Sequence, residues 1–154
     1  MDQKVTLMNE IRYAQRITQR TARLYRRAST VLTFLAILGV SSVAVSLSKS
    51  APDWLAIVGT LAMAAAAAAS LAVRPLEKAI TNEQDLRKYT QLETLAVGMT
   101  LEQLQAALAK ARETDAAEVE LLRDVAYNDV VREIGRDDAA IHLNLQQRLI
   151  ASLA

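Results

Sequence analysis

The segments ASTVLTFLAILGVSSVAVSLS, residues 28–48, and WLAIVGTLAMAAAAAASLAV, residues 54–73, contain no charged residue, and only residues 49–53 separate them. A helix needs about 20 predominantly apolar residues to cross the ~30 Å hydrocarbon core of a bilayer. Each segment supplies that length. The two segments therefore predict a transmembrane helical hairpin, with lipid as the solvent around which the chain is organised.

The average composition conceals this pattern, because the formal net charge is only +1 and charged residues make up 23% of the chain. Residues 1–28 hold seven Lys and Arg against two acidic residues, whereas residues 74–154 hold ten against fourteen. Lys49 is the one basic residue between the two segments. By the positive-inside rule, both termini are expected in the cytoplasm.

The apolar segments have two other interpretations. A signal peptide is disfavoured, since 28 residues is a long lead-in, 21 is a long apolar run, and a second apolar segment follows at once. A wholly soluble helical bundle with two buried core helices is the stronger alternative, because Ala64–Ala69 is an unbroken alanine run. The rest of a chain of this size provides too few residues to surround two such helices, so the transmembrane hairpin is favoured.

The residues before the first span predict an amphipathic helix, because they contain no Gly or Pro and apolar residues recur every three or four positions from Leu7 to Ala28. A second face carries what we term the arginine ridge: Arg12, Arg16, Arg20, Arg23 and Arg27. Candidate partners for the ridge are, in order of preference, the acidic C-terminal helices, anionic lipid headgroups and nucleic acid. Nucleic acid is not expected, since no recognition motif or aromatic platform accompanies the ridge.

After the second span, Pro75 predicts a kink or a helix restart, because proline disfavours helix at Arg74. Four further helices are predicted. The first continues to Gly98, and the second begins at a capping box formed by Thr100 and Gln103. The third runs from near Asp115 to near Gly135, and the last runs from Asp137 or Asp138 to the end of the chain. The predicted fold is all-α. It comprises a basic amphipathic helix (1–27), a transmembrane hairpin (28–73, with spans 28–48 and 54–73) and a cytoplasmic helical region (74–154).

Small and hydroxyl residues dominate the spans. In lipid such residues permit close backbone approach and hydrogen bonds between helices. They are candidates for contacts within the hairpin, for a seam between copies or for a pore lining, although hydroxyls also bond back to their own helix. The candidates are Thr30, Thr33, Gly39, Ser41, Ser42, Ser46, Ala56 and Thr60. The short amphipathic C-terminal helices need further apolar partners, so homo-oligomerisation is expected.

The sequence offers little for catalysis, and we expect no enzyme, cofactor or metal site. The chain has no cysteine and a single histidine, His142. Asp137 and Asp138 precede this histidine, but a metal site needs three or four converging ligands, and helix capping is the simpler role for the two aspartates. The spans hold no titratable group for an ion-coupled transporter, whereas a hydroxyl-lined pore needs none.

A family resemblance rests on three features. Basic residues and Tyr25 lead directly into the first span, a short turn with Pro52 and Trp54 leads into the second, and the sequence LRKYTQLE, residues 86–93, follows. In this last segment Tyr89 precedes Glu93 by four residues. Over residues 10–97 the chain resembles the SLATT group, small bacterial two-transmembrane effector domains of antiphage conflict systems, although Leu86 replaces a common aromatic.

The resemblance implies a pore-forming or membrane-disrupting effector that oligomerises when an upstream sensor protein or second messenger triggers it. Without the resemblance, the sequence predicts a helical membrane oligomer. The alternatives are a phage holin, a superinfection-exclusion protein and a non-conducting membrane scaffold. A holin usually has little folded cytoplasmic mass, which separates it from the others.

Overall fold

The computed structural model describes residues 3–47 and 52–154, and within these ranges the regular structure is helical. Six α-helices follow one another along the chain: α1 (Gln3–Leu47), α2 (Asp53–Val73), α3 (Pro75–Ala96), α4 (Leu101–Arg112), α5 (Arg123–Glu133) and α6 (Leu145–Leu153). Single 3₁₀ turns at Glu120–Leu122 and Asp137–Ala139 precede α5 and α6. The all-α prediction is confirmed. The last residue of the predicted first span, Ser48, and residues 49–51 of the predicted loop (49–53) lie outside the described residues.

The N-terminal arm and the first apolar segment form one helix, as expected for a stretch with no helix breaker before Gly39. The junction between α2 and α3 is also as predicted. Arg74 has a left-handed backbone, with φ of 48°, and its N–H bonds to the carbonyl of Ser70 at 3.0 Å. Pro75 then restarts the helix, because its fixed φ suits a first helical position.

The chain divides into two compact units, of which the first contains residues 3–24 and 78–154 among the described residues. Its core is built on the apolar stripe of α1. Ile11 and Ala14 pack with side chains from α3 and α4, and Ile17 packs with side chains from the turn before α5, from α5 and from the end of α6. This region has a hydrophobic core of its own, with Tyr89, Leu104 and Leu122 fully buried.

Local signals predicted α4 correctly and failed for the two helices after it. Thr100 and Gln103 form the predicted reciprocal capping box. The expected helix start near Asp115 is wrong, because α5 begins only at Arg123 and the Asp115 carboxylate instead accepts hydrogen bonds from Lys88 and Tyr89. Hydrogen bonds to residues of α3, which are distant in sequence, therefore hold the segment after α4 in place.

The predicted start of the last helix at Asp137 or Asp138 is also wrong. These residues lie in a single 3₁₀ turn, where Asp138 accepts hydrogen bonds from Arg136. Helix α6 begins at Leu145, after Asn144, which forms a capping box with Gln147. The sequence Asn-x-x-Gln is the signal for this start, but the two aspartates seven and six residues earlier offer a competing one.

The second unit, residues 25–77, contains the hairpin, in which α1 and α2 approach closely at two glycines. A Cβ atom placed on Gly39 would lie 2.5 Å from the carbonyl oxygen of Gly59 and 2.8 Å from the Cβ of Met63. A Cβ atom on Gly59 would collide with Ser42 and lie 2.9 Å from the oxygen of Gly39. The lack of side chains at these glycines thus permits backbone contact, a role that small residues also have in helix pairs of membrane proteins.

We expect Gly39→Ala to destabilise the hairpin by about 1–3 kcal/mol, the usual cost of overpacking, because the added methyl meets backbone atoms that cannot rotate away. The control is Ser41→Ala, which alters an exposed position on the same helix. Unfolding of the full chain in lipid nanodiscs by a denaturing detergent measures the difference. Equal stability of Gly39→Ala and the control would contradict the glycine contact.

Candidate functional site

The candidate contact residues of the spans lie on two sides of α1. Gly39 is buried against α2, and Ser42 is half-buried beside Gly59. Ser46 is half-buried as well, and its hydroxyl has no hydrogen-bond partner among the described residues. Viewed along the helix axis, these three residues fall within a sector of about one-sixth of a turn. This side of α1 forms the contact within the hairpin.

Three other candidates, Thr30, Thr33 and Ser41, are exposed on the opposite side of α1. Their hydroxyls donate to the carbonyls of Arg26, Ser29 and Ile37, each four residues earlier, at 2.9–3.0 Å. On α2, exposed Thr60 donates in the same way to the carbonyl of half-buried Ala56 at 2.8 Å. Each of these hydroxyl groups donates its hydrogen to the backbone of its own helix. The exposed side of the helix therefore presents small residues whose hydroxyl donors are already paired.

Most of the apolar surface of the two long helices is not covered by the chain. Both helices are long and apolar enough to cross a membrane, and only 6% and 11% of their most apolar windows are buried. Phe34, Ile57 and Leu61 are each about 60% exposed. A core helix of a soluble protein would be mostly buried, so these helices do not form the core of this chain.

The arginine ridge makes three sets of contacts with acidic side chains of the first unit. The Nε of Arg12 donates to Glu93 on α3 at 3.1 Å. The guanidinium of Arg16 donates to Glu133 on α5 at 2.7 Å. Glu93 and Glu133 both belong to the acidic region that follows the second apolar segment.

Arg20 has the most complete set of contacts on the ridge. Its Nε and Nη2 donate to the two carboxylate oxygens of Asp129 at 2.9 and 3.0 Å, and its Nη1 donates to the carbonyl of Ala151 at 3.1 Å. Both charged side chains are largely buried. A bidentate, partly desolvated pair of this kind contributes more than a surface ion pair, because solvent screens it less.

The last two members of the ridge are not part of this set. The side chain of Arg23 makes no hydrogen bond or ion pair within residues 3–47 and 52–154. Arg27 lies in the hairpin unit and is exposed. Arg12, Arg16 and Arg20 therefore hold the first unit together, whereas Arg23 forms no such pair.

Glu93, the acidic residue of the LRKYTQLE segment, receives two hydrogen bonds from α1. Burial raises the pKa of its carboxyl, but bonds from Gln15 Nε2 at 2.8 Å and Arg12 Nε at 3.1 Å outweigh burial, and the pKa is lowered overall. Gln15 also donates to the carbonyl of Tyr89 at 3.2 Å. Glu93 thus links α3 to α1 in its ionised form.

Tyr89 of the same segment is fully buried, and its hydroxyl donates to Asp115. Burial raises the pKa of this hydroxyl well above its usual value, and the bond to Asp115 raises it further. Lys88 donates to Asp85, Asp115 and the carbonyl of Ala111 at 3.0, 2.6 and 2.7 Å. These bonds attach the segment after α4 to α3, so Tyr89 and its neighbours have a structural role.

No group of three or more His, Asp or Glu side chains among the described residues could hold a metal ion. His142 is exposed, while Asp138 is bonded to Arg136 at 3.0 Å.

Sequence reasoning missed Asn128, whose buried side chain donates to the carbonyl of Ile141 and accepts from its N–H at 2.8 and 2.7 Å. No local signal in the sequence indicated this partner.

Comparison of the chain with protein-family models, with curated proteins and with solved structures gives no match.

We expect Arg20→Glu to destabilise the first unit by about 2–3 kcal/mol, because it replaces a charge-assisted pair with two facing carboxylates. Arg23→Glu is the matched control, since it makes the same charge reversal on the same helix without breaking a bond. Urea unfolding of the full chain in nanodiscs, followed by the fluorescence of tyrosine, measures both. Comparable losses in the two variants would indicate that general charge, not the Asp129 pair, matters.

Acid should weaken the first unit through Glu93. A carboxyl whose pKa is lowered by folding stabilises the folded state above its unfolded pKa, near the ordinary value of 4.5, and this contribution disappears as the pH falls through the folded value. We therefore expect the stability difference between wild type and Glu93→Gln to shrink from pH 6 to pH 3. Urea unfolding at several pH values measures it, and Glu102→Gln controls for the lost charge. A difference independent of pH would contradict this role.

Proposed function

We propose that the chain is a small oligomeric protein of the bacterial inner membrane that forms a pore or disrupts the membrane as an effector of antiphage defence. The observation that carries the membrane part of the proposal is the uncovered apolar surface of α1 and α2. Burying such surface in lipid is favourable at roughly 25 cal/mol per Å². A bilayer supplies the cover that this chain lacks.

Both termini are proposed to lie in the cytoplasm. Seven basic residues precede the first span, Arg74 and Lys78 follow the second, and the segment between them contains only Lys49. Such a distribution orients a hairpin with its ends on the cytoplasmic side. The exposed indole of Trp54, at the start of α2, suits the boundary between water and lipid.

Self-association is proposed to use the exposed hydroxyl side of α1. Gly39 and Ser42 are already engaged in the hairpin, whereas Thr30, Thr33 and Ser41 face away from it. Small residues facing lipid make a smooth surface on which another helix can pack closely. Several copies joined along this side would form either a helical bundle without a channel or a hydroxyl-lined pore. Anionic lipid and an upstream sensor or messenger are the further partners proposed.

The defence role is inferred from the SLATT resemblance, and depolarisation of the cell is the outcome that it implies. The folded first unit favours an effector over a holin, because holins usually have little folded mass outside the membrane. A superinfection-exclusion protein or a non-conducting scaffold would share the architecture. Conductance therefore separates the proposed effector from these alternatives.

Induced expression in bacteria should depolarise the inner membrane, as followed by a potential-sensitive dye. The double variant Thr33→Leu/Ser41→Leu should lower both the depolarisation and the oligomer fraction in nanodiscs at least about fivefold, because leucine blocks close helix approach. Val31→Leu is the control, since it places a leucine at an exposed position on another side of α1.

Two results would contradict the proposal separately. Oligomers without any depolarisation or single-channel current would indicate a scaffold. Depolarisation that the double variant leaves unchanged would leave a membrane-active protein but exclude the hydroxyl side of α1 as the seam.

A further inference from the structure

A polar cavity of about 430 Å³ lies in the first unit between α1 and α5. Besides Gln19, its lining consists of charged side chains: Arg16, Arg20, Arg23, Asp129, Arg132 and Glu133. Four guanidinium groups thus face two carboxylates, a surplus of two positive charges. Arg132 is the member that sequence reasoning missed, because it comes from α5 and not from the ridge.

Two of the four arginines are held in place by the carboxylates. Arg16 donates to Glu133 through Nε and Nη2, at 3.2 and 2.7 Å, and to Gln19 through Nη1 at 3.2 Å. Arg20 is committed to Asp129 and to the carbonyl of Ala151. These bonds account for both carboxylates of the cavity and fix one wall of it.

The other two arginines supply the surplus charge. The side chains of Arg23 and Arg132 have no hydrogen bond or ion pair within the part of the chain that the structure describes. Both residues are exposed, so their guanidinium groups are accessible from solvent. Each retains a full fork of N–H donors in a cavity whose carboxylates already have partners.

We propose that this cavity binds a phosphoryl group through Arg23 and Arg132. The guanidinium fork matches two oxygens of a phosphate, and arginine is weakly hydrated, which favours such bidentate pairs. Arg16 and Arg20 add positive potential without needing to leave their partners. The inference goes beyond pore formation, because the cavity lies wholly in the first unit and its occupancy is measured without conductance.

The phosphoryl group has two sources with the same chemistry. Arg23 precedes the uncharged segment by five residues, so the headgroup of an anionic phospholipid is one source. A soluble phosphate ester is the other. Either ligand would place one or two negative charges beside Arg23 and Arg132 and so offset the surplus positive charge of the cavity.

The test uses the full chain in nanodiscs of phosphatidylcholine. In one arm inorganic phosphate is titrated at constant ionic strength and binding is followed by calorimetry. In the other arm a fraction of the lipid is replaced by phosphatidylglycerol, and the shift in thermal unfolding is measured. The variant is Arg23→Gln/Arg132→Gln, and the control with the same chemistry is Arg87→Gln, an exposed arginine of α3 outside the cavity.

The double variant should retain the wild-type helix content and unfolding temperature in pure phosphatidylcholine, because neither side chain has a bond to lose. It should weaken binding at least about tenfold in one arm, while Arg87→Gln stays within about twofold of wild type. Loss in the phosphate arm assigns a soluble ester, and loss in the phosphatidylglycerol arm assigns a lipid headgroup. No binding by wild type in either arm, or equal binding by the double variant, would overturn the proposal.

Discussion

The uncovered apolar surface of two long helices is the constraint on which the other features depend. Residues 28–48 and 54–73 lack charge, and the chain buries only a small part of their most apolar windows. Water does not solvate such a surface at acceptable cost, so another medium or another protein must cover it. The contact between the two helices, which buries Gly39 and Gly59, leaves most of this surface exposed.

Helix α1 combines two kinds of surface in one continuous element. Over residues 3–24 its apolar stripe contributes to both hydrophobic clusters of the first unit, and its polar side forms ion pairs with α3, α4 and α5. Further along, its glycine side contacts α2 and its hydroxyl side is exposed. The charge pattern of the sequence therefore marks a change in what surrounds a single helix, and not the end of one helix and the start of another.

The sequence predicted those features that local patterns determine. The two long apolar helices, the restart at Pro75 and the capping box at Thr100 all follow from residues close together in the chain. The helix start predicted at Asp115 is wrong because the partners of this residue, Lys88 and Tyr89, lie 27 and 26 residues away. Aspartate favours both a helix N-terminus and an ion pair, and only the tertiary fold selects between them.

The candidate sites show the same division. The ridge was visible from its spacing, but its separation into paired arginines and unpaired Arg23 depends on where Asp129 and Glu133 lie on α5. Arg132 has no periodic signal of its own and became a candidate only when folding placed it beside Arg23. The contact residues likewise separated into a hairpin side and an exposed side only in three dimensions.

Placement of the uncharged helices in lipid is tested most directly by cysteine accessibility, for which the chain is suited because it has no cysteine of its own. Single cysteines at Phe34, Leu61 and Lys110, three exposed positions, are treated with a membrane-impermeant maleimide in membranes open on both sides. If the uncharged helices lie in lipid, position 110 is labelled rapidly, and positions 34 and 61 are protected until detergent is added. Equal labelling of all three positions in intact membranes would contradict it.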